Sequence, residues 1–330
     1  MSNEEKYKIL LVDDEEDNLM LLYRTLRNSK YELTKTTNPK AAIELLKDNF
    51  YHLIISDHKM PEIDGIQLLQ FVNENYPDTV KILLTAYSDA SILIDAINSA
   101  KIYRYVKKPY VPDELVMVVE AGLEYFQLKK DNENLVNDLK DLFSGTVNAI
   151  TEALDAKDSY TMGRSKRVTY YSVRMAQKLG LDNTEIGKIE LAGLLHDIGM
   201  IGVTDKILLK ADKLTGEEYE EIKKHVNYSV KILEDIKQLN DVVKIIKYHH
   251  EHYSGNGYPE GLKGEEIPLG SRIIAIADAF DGMMSSRAYR PPLSAIEAYK
   301  IIEENKNLQF DPSLIPCFKE FVDELLTAEN

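Results

Sequence analysis

The chain has a single cysteine, Cys317, so no intrachain disulfide can form, and this suits a reducing compartment. No stretch approaches the roughly 18 consecutive apolar residues that span a bilayer. The N-terminus, MSNEEKYKILLVDDEE, lacks the basic start and long apolar core of a secretory signal, which predicts a cytoplasmic protein without a targeting peptide. An excess of positive charge is missing too: 55 acidic residues against 40 basic ones give a formal net charge of −15. That argues against non-specific nucleic-acid binding and against a DNA-binding output, both of which need a basic surface. It leaves room for a local basic pocket that takes a small phosphate ligand. Internal repeats and low-complexity tracts are absent, so the 330 residues read as about two domains of ordinary size.

What is present changes character near residue 112. Before it, short apolar runs alternate with amphipathic stretches. The runs are YKILLVD (7–13), YELTKT (31–36), YHLIIS (51–56), VKILLTA (80–86) and IYRYVK (102–107). Helix-like segments lie between them, near 15–28, 39–49, 64–75 and 89–98. Buried strands alternating with helices predict an α/β doubly wound five-stranded parallel sheet covered on both faces. After residue 112 no strand pattern appears. Periodic segments near 145–157, 164–179, 184–197, 215–236, 239–252, 269–284, 292–305 and 312–327 predict an all-α bundle. Two loops interrupt it, GMIGVTDKILLK (199–210) and the glycine-rich YSGNGYPEGLKGEEIPLG (253–270). A long structured loop inside a helical domain is usually functional.

A helical linker joins the halves. Over 113–142, Ala121, Tyr125, Leu128, Asn132, Leu135, Leu139 and Leu142 are spaced 4, 3, 4, 3, 4, 3. This is a heptad seam with one polar core position, Asn132, and a buried Asn fixes register and favours two strands. The seam predicts a parallel coiled-coil homodimer; the plainer alternative is a lone amphipathic helix.

In a doubly wound sheet, ligands gather at the carboxyl ends of the strands. The first predicted strand ends in Asp13-Asp14, the third in Asp57, the fourth in Thr85 and the fifth in Lys108-Pro109. Converging carboxylates repel unless a cation lies among them, and oxygen ligands with open positions suit Mg2+. Helix capping accounts for one strand-end aspartate, not for this whole set. The stretches LLVDDEEDN, IISDHKMPEIDG, LLTAY and YRYVKKPY make residues 5–125 resemble a response-regulator receiver domain. The resemblance implies that Asp57 accepts a phosphoryl group from a sensor histidine kinase. It implies that Asp13, Asp14, Asp57 and the backbone carbonyl of Lys59 hold Mg2+. It further implies that Thr85 and Lys108 contact the phosphoryl group, that Tyr105 is an aromatic switch, and that Lys108-Pro109 is joined by a cis bond.

Five of the seven histidines lie between 196 and 252: His196, His225, His249, His250 and His252. In LAGLLHDIGM (191–200), His196-Asp197 could simply end a helix, with Gly199 as the residue after its C-cap. A lone helical histidine is more often packed or solvated than a ligand. Two adjacent ones on a helix lie about 100° apart, so they can grip one metal but rarely both pack. With His196-Asp197 and Asp278 they suggest mixed imidazole and carboxylate ligation of Fe, Mn or Zn. A carboxylate bridging between histidines is the logic of a two-metal hydrolase.

The stretches LLHDIGMIGVTDKIL, IKKHVNYSVKIL and YHHEHYSGNGYPEGLKGEEIPLGSRIIAIADAFDGMMSSRAYR make about residues 145–328 resemble the HD-GYP family, a branch of the HD-domain metal phosphohydrolases. The resemblance implies hydrolysis of cyclic di-GMP with one or two Fe, Mn or similar ions. The implied ligands are His196, Asp197 as the bridge, His225, His249, His250 and Asp278. Tyr258, within Gly257-Tyr258-Pro259, would stand beside the pocket, and Arg287 and Arg290 would bind substrate phosphates, for which guanidinium geometry is suited. A diguanylate cyclase is an implied partner. The chain then divides into a receiver (1–122), a linker helix (113–144) and a metal-dependent phosphohydrolase domain (145–330).

The chain departs from that family at four single positions and in one short motif. Arg164 stands where the family has a metal-ligating His, Met200 where it has Lys, and His252 and Ser254 where it has Arg and Asp; HVNYS also replaces HPxxG. A guanidinium has no lone pair to donate. Either one metal position is short of a ligand, or Arg164 binds a substrate phosphate beside a single metal. Three readings stay open: a phosphorylation-controlled cyclic di-GMP phosphodiesterase, a degenerate HD-GYP module that signals by binding, and an HD phosphohydrolase acting on another nucleotide.

Overall fold

A computed structural model describes residues 6–86, 100–157, 163–210, 212–285 and 291–328. The helix expected near 89–98 lies outside the described residues. Two compact units, Met1–Leu139 and Lys140–Asn330, make up the chain.

In the first unit five parallel strands run in the order β2-β1-β3-β4-β5. They are β1 (Tyr7–Val12), β2 (Tyr31–Thr36), β3 (Leu53–Asp57), β4 (Val80–Ala86) and β5 (Arg104–Lys108). Side chains alternate between sheet faces, so an unbroken apolar run supplies both. Ile9, Leu11, Ile55 and Ile82 pack on one face with Leu19 and Leu22 of α1 (Glu16–Leu26). Leu10, Val12, Ile54 and Leu83 pack on the other with Leu46 of α2 (Pro39–Asp48) and Leu68 of α3 (Gly65–Asn75). Asn38 caps α2 by accepting from the Lys40 and Ala41 N–H groups, and Asp64 forms a capping box with Gln67 at the start of α3. Asp57 pairs with Leu84, and Thr85 with Lys107. This register brings Asp57, Thr85 and Lys108 to one edge of the sheet.

Helix α4 (Pro112–Lys157) is continuous over 46 residues, whereas the sequence predicts separate segments at 113–142 and 145–157. Gly145 sits in open space, and an exposed helical glycine costs only about 1 kcal/mol, too little to end a long helix. Leu115, Val119, Leu123 and Phe126 bury against the sheet. Beyond them Leu128, Leu135, Leu139 and Leu142 are 62%, 58%, 56% and 67% exposed. The heptad seam is therefore uncovered in a single chain.

The second unit is helical: α5 (Arg164–Lys178), α6 (Asn183–Leu195), α7 (Asp205–Leu208), α8 (Gly216–Lys223), α9 (His225–Leu233), α10 (Asn240–Lys247), α11 (Leu269–Met284), α12 (Ala295–Glu304) and α13 (Ile315–Ala328). Its core gathers Val168, Met175, Ile246, Ile273, Phe280 and Phe318, with the last two rings edge to face at 5.1 Å. Arg272 of α11 holds the buried Asp311 at 2.5 Å, and Asp311 in turn accepts from the Ser313 N–H ahead of α13. Two predicted helices are shorter than expected. The 215–236 segment breaks at Lys224, whose N–H bonds to the Glu221 carbonyl and tightens the last turn of α8. The 239–252 segment ends at Lys247, so His249 and His250 lie on a turn beyond α10 and not on a helix face. Among the described residues no helix is long and apolar enough to cross a membrane.

Candidate functional site

The first unit carries its chemistry at the carboxyl edge of the sheet. Asp13 and Asp57 are buried, and the Lys108 ammonium lies 2.7 Å from Asp13 Oδ2 and 2.5 Å from Asp57 Oδ1. Burial alone would lower that ammonium, but its bonds to Asp13 and Asp57 overrule burial and raise it. Asp13 Oδ1 accepts from the Glu15 N–H, and Asp57 Oδ2 from the Lys59 N–H at 3.0 Å. Gly65 is required here, since a Cβ would fall 1.9 Å from the Asp57 carbonyl oxygen. Thr85 is buried beside this pair, and its hydroxyl lies 3.1 Å from His58 Nδ1. Asp14 is exposed next to Asp13. Tyr105 points outward, 45% exposed. The Lys108-Pro109 bond is cis, as expected. The oxygens of Asp13 and Asp57 at an open edge fit a hard divalent cation such as Mg2+.

The second unit gathers histidines at helix ends. His196 follows α6, His225 follows α8 by two residues, and His249 follows α10 by two. In each, Nδ1 meets the carbonyl three residues back: Gly193 at 2.7 Å, Ile222 at 2.7 Å and Ile246 at 2.6 Å. A carbonyl only accepts, so Nδ1 carries a proton in each and Nε2 is the atom turned to the nest. Each of these carbonyls is the one that the next N–H of a continuing helix would use, so the imidazole also closes the helix. The Nε2 atoms of His196, His225 and His249 are buried and make no hydrogen bond.

Two nests of ligand atoms result, His225–His249–His250 and His196–Asp197–Asp278, each within 4.8 Å. Asp197 reaches both: Oδ2 lies 3.2 Å from His196 Nε2 and Oδ1 lies 3.5 Å from His225 Nε2. Asp278 Oδ1 lies 3.4 Å from His196 Nε2. An Nε2 this close to two carboxylate oxygens calls for positive charge there, either a proton on the imidazole or a metal ion. Burial opposes charge on His196, but Asp197 and Asp278 overrule it and carry the imidazole up to about 10. Burial likewise opposes ionisation of the two carboxylates, yet His196 and Arg164 hold both well below the usual range. His249 is pushed down to about 4 by burial and by His196 and His225, and His250 falls well below its ordinary value through burial and His249. Three imidazoles and a carboxylate are a donor set that fits a divalent transition metal.

Gly199 makes the shared carboxylate geometry feasible. A Cβ there would lie 1.8 Å from the His225 carbonyl oxygen and 2.6 Å from the Ser229 nitrogen. The plainer alternative, Gly199 as the residue after a helix C-cap, does not account for this glycine. The residue is glycine because the turn after Asp197 runs against the start of α9.

Arg164 enters the same site. Its Nη2 donates to Asp278 Oδ1 at 2.6 Å, and its Nε lies 3.7 Å from Asp197 Oδ2. One turn on, Arg167 Nε donates to Asp281 Oδ1 at 2.6 Å. Arg164 and Arg167 of α5 thus meet Asp278 and Asp281 of α11, three residues apart on each helix.

A cavity of about 620 Å³ opens on the metal nests, within the range of small-molecule sites. Tyr258 lines it, its ring 4.9 Å from that of His250, and so does Met200. Lys157 and Lys210 also line it, the latter paired with Glu218 at 2.6 Å. Lys157 donates to the Ile201 and Val203 carbonyls at 3.0 and 2.9 Å, which brings a cation to the turn where Met200 offers none. Arg167, Lys157 and Lys210 were not singled out in sequence, although the three-residue spacing from Arg164 puts Arg167 on the same helix face. Arg287 and Arg290 lie outside the described residues.

Residues 9–120 match the response regulator receiver domain family, and residues 148–314 match the HD domain family. A cyclic di-GMP phosphodiesterase of Thermotoga maritima is 29% identical over 96% of this chain and 91% of its own length. The cyclic di-GMP phosphodiesterase response regulator RpfG of Xanthomonas campestris pv. campestris is 28% identical over 93% of this chain and 85% of its own. The 3'3'-cGAMP-specific phosphodiesterase 2 of Vibrio cholerae is 36% identical over 63% of this chain and 40% of its own.

Proposed function

The chain belongs to the HD-domain family and joins that domain to a response-regulator receiver, and on this premise we propose that phosphorylation of Asp57 controls hydrolysis of cyclic di-GMP in the HD domain. The observation that carries the hydrolase reading is the convergence of buried imidazole Nε2 atoms from three helix ends on two nests that share the Asp197 carboxylate. The relatives that span both domains and are named cyclic di-GMP phosphodiesterases support the substrate.

In this reading a sensor histidine kinase supplies the phosphoryl group. Asp13, Asp14 and Asp57, with the Lys59 carbonyl, would hold Mg2+. Asp57 attacks phosphorus, Thr85 and Lys108 take up charge on the transferred group, and Tyr105 turns inward. His196, Asp197, His225, His249, His250 and Asp278 are the residues offered to Fe or Mn in the second unit. When bound, such an ion activates water for attack at phosphorus and withdraws charge from the phosphodiester. Arg164, Arg287 and Arg290 would hold phosphate oxygens. Tyr258 closes the pocket against His250. The uncovered heptad seam of α4 would pair with its copy in a homodimer, and a diguanylate cyclase would be the opposing source of substrate. The cytoplasm, where nucleotide and kinase domain meet, is the proposed compartment.

The test is a turnover assay on metal-loaded protein with Asp57 phosphorylated or not, using cyclic di-GMP and 3'3'-cGAMP side by side. Linear dinucleotide or GMP from cyclic di-GMP, lost in His225→Ala, is expected. Intact cyclic di-GMP in both phosphorylation states would sink the proposal. Faster loss of 3'3'-cGAMP would move the substrate to the specificity of the Vibrio relative.

A further inference from the structure

One of the two ligand nests already holds a side chain. Asp197 Oδ2 and Asp278 Oδ1 face His196 Nε2 at 3.2 and 3.4 Å, as the oxygens of a metal site would. The same two oxygens receive the Arg164 guanidinium, Nη2 on Asp278 Oδ1 at 2.6 Å and Nε 3.7 Å from Asp197 Oδ2. We propose that Arg164 is a built-in cation standing in place of a second metal ion. The HD domain then holds one ion, on His225, His249, His250 and Asp197, and Asp278 serves as the anchor of the guanidinium. This inference rests on the metal-centre reading of the same residues.

Three considerations carry it. A guanidinium offers five donors and no lone pair, and it does not deprotonate in proteins, so it competes with a metal for these oxygens and can never join it as a ligand. Arg164 is also fixed in place. Its side chain is 14% exposed, and the Arg167–Asp281 pair one turn on repeats the contact. Swinging it out would leave Asp278, itself buried, without its strongest partner, which is costly for a buried ion pair.

Charge decides the number of ions. Counting only fixed charges and leaving the imidazoles aside, one divalent ion and the guanidinium exceed the two carboxylates by a single positive charge, which a bound phosphodiester neutralises. A second divalent ion would leave three positive charges in excess in a buried site, where uncompensated charge is expensive. The nest on the other side of Asp197 carries no such conflict. His225 and His249 keep unpartnered Nε2 atoms, and Asp197 Oδ1 lies 3.5 Å from His225.

The experiment is metal quantitation on the full-length protein reconstituted with Mn2+, with electron paramagnetic resonance as the second reading. Wild type is expected to hold one Mn2+ per chain and to show the spectrum of an isolated ion. Arg164→His exchanges the fixed charge for a lone pair; two ions per chain and a spin-coupled spectrum are expected. Wild-type protein with two ions, or with a coupled pair, overturns the proposal. So does Arg164→His protein that is folded by circular dichroism and still holds one. If that variant fails to fold, Asp278→Asn decides. One ion per chain, as in wild type, supports an anchoring role, and loss of the ion overturns it. None of these readings is turnover. One-ion protein that leaves cyclic di-GMP intact would defeat the function proposed above and leave this inference standing. Two-ion protein that hydrolyses it would do the reverse.

Discussion

The Nδ1 of His58 lies 3.1 Å from the Thr85 hydroxyl, next to the phosphoacceptor in sequence and in space. Thr85 therefore already has a partner before any phosphoryl group arrives. A single hydrogen bond contributes about 1 kcal/mol, roughly a fivefold factor in an equilibrium. Replacing His58 by Leu should free the hydroxyl for the phosphoryl group and raise the steady-state fraction of phospho-Asp57 severalfold with acetyl phosphate and Mg2+. Separation of phosphorylated from unmodified chain on a phosphate-affinity gel checks this, and an unchanged or lower fraction would show that His58 supports Thr85.

Asp57→Asn should abolish labelling by acetyl phosphate and Mg2+ altogether, because the side chain no longer offers an anionic oxygen to phosphorus. Wild type should gain one phosphoryl group per chain by intact-mass measurement. Undiminished labelling of the variant would move the acceptor elsewhere.

Acid should destabilise the metal-free protein between about pH 6.5 and 4. His249 is depressed to about 4 in the folded state, and His250 is depressed as well. Unfolded histidines take up protons near 6.5, so in this window the unfolded chain binds more protons and stability falls as pH falls. His196, raised to about 10, is protonated in both states there and adds no slope. The loss is on the order of a few kcal/mol. Urea midpoints from pH 7 to 4.5 measure it, and a flat profile would contradict the burial of these imidazoles.

Asp311→Ala should cost about 3–5 kcal/mol, because both partners are buried, Arg272 14% and Asp311 1% exposed, and the arginine would be left uncompensated. Thermal unfolding of the second unit should shift down by about 10 °C. Metal content at low temperature should stay at the wild-type value, since neither residue touches a ligand nest.

Leu135→Glu with Leu139→Glu should convert dimer to monomer in sedimentation equilibrium, by placing charge in the seam of α4. Secondary structure should be retained, because both positions are more than half exposed in one chain. A monomeric wild type would remove the coiled coil from the account.

The strands and the acidic edge were readable because a parallel sheet is a local pattern. Unbroken apolar runs such as YKILLV end in the residues that matter, and the order of strands places those ends together. The exposed apolar stripe of Leu128, Leu135, Leu139 and Leu142 was readable as a local pattern too, though not the continuity of α4 past Gly145. The histidine positions were readable as residues and not as geometry. Nothing in YHHEHY states that the helix stops at Lys247, since His249 itself takes the carbonyl that would have continued it. The meeting of Arg164 with Asp278 joins residues 114 apart, and only the packing of α5 on α11 makes the pair. The sequence left Arg164 between a vacancy and a phosphate contact, and its salt bridge to Asp278 is what favours a standing cation.

Three helices end at the metal nests, and in each the imidazole that faces the nest is also what closes the last turn. Carbonyl ends of helices carry partial negative charge, so their convergence favours a cation between them before any ligand atom is counted. It also means that forming the helices and aiming the ligands are one event. Little conformational entropy is left to lose when an ion arrives. Chelation should therefore return a folded protein with its donors still in position, and reloading should proceed at the rate of ion entry, without a refolding phase.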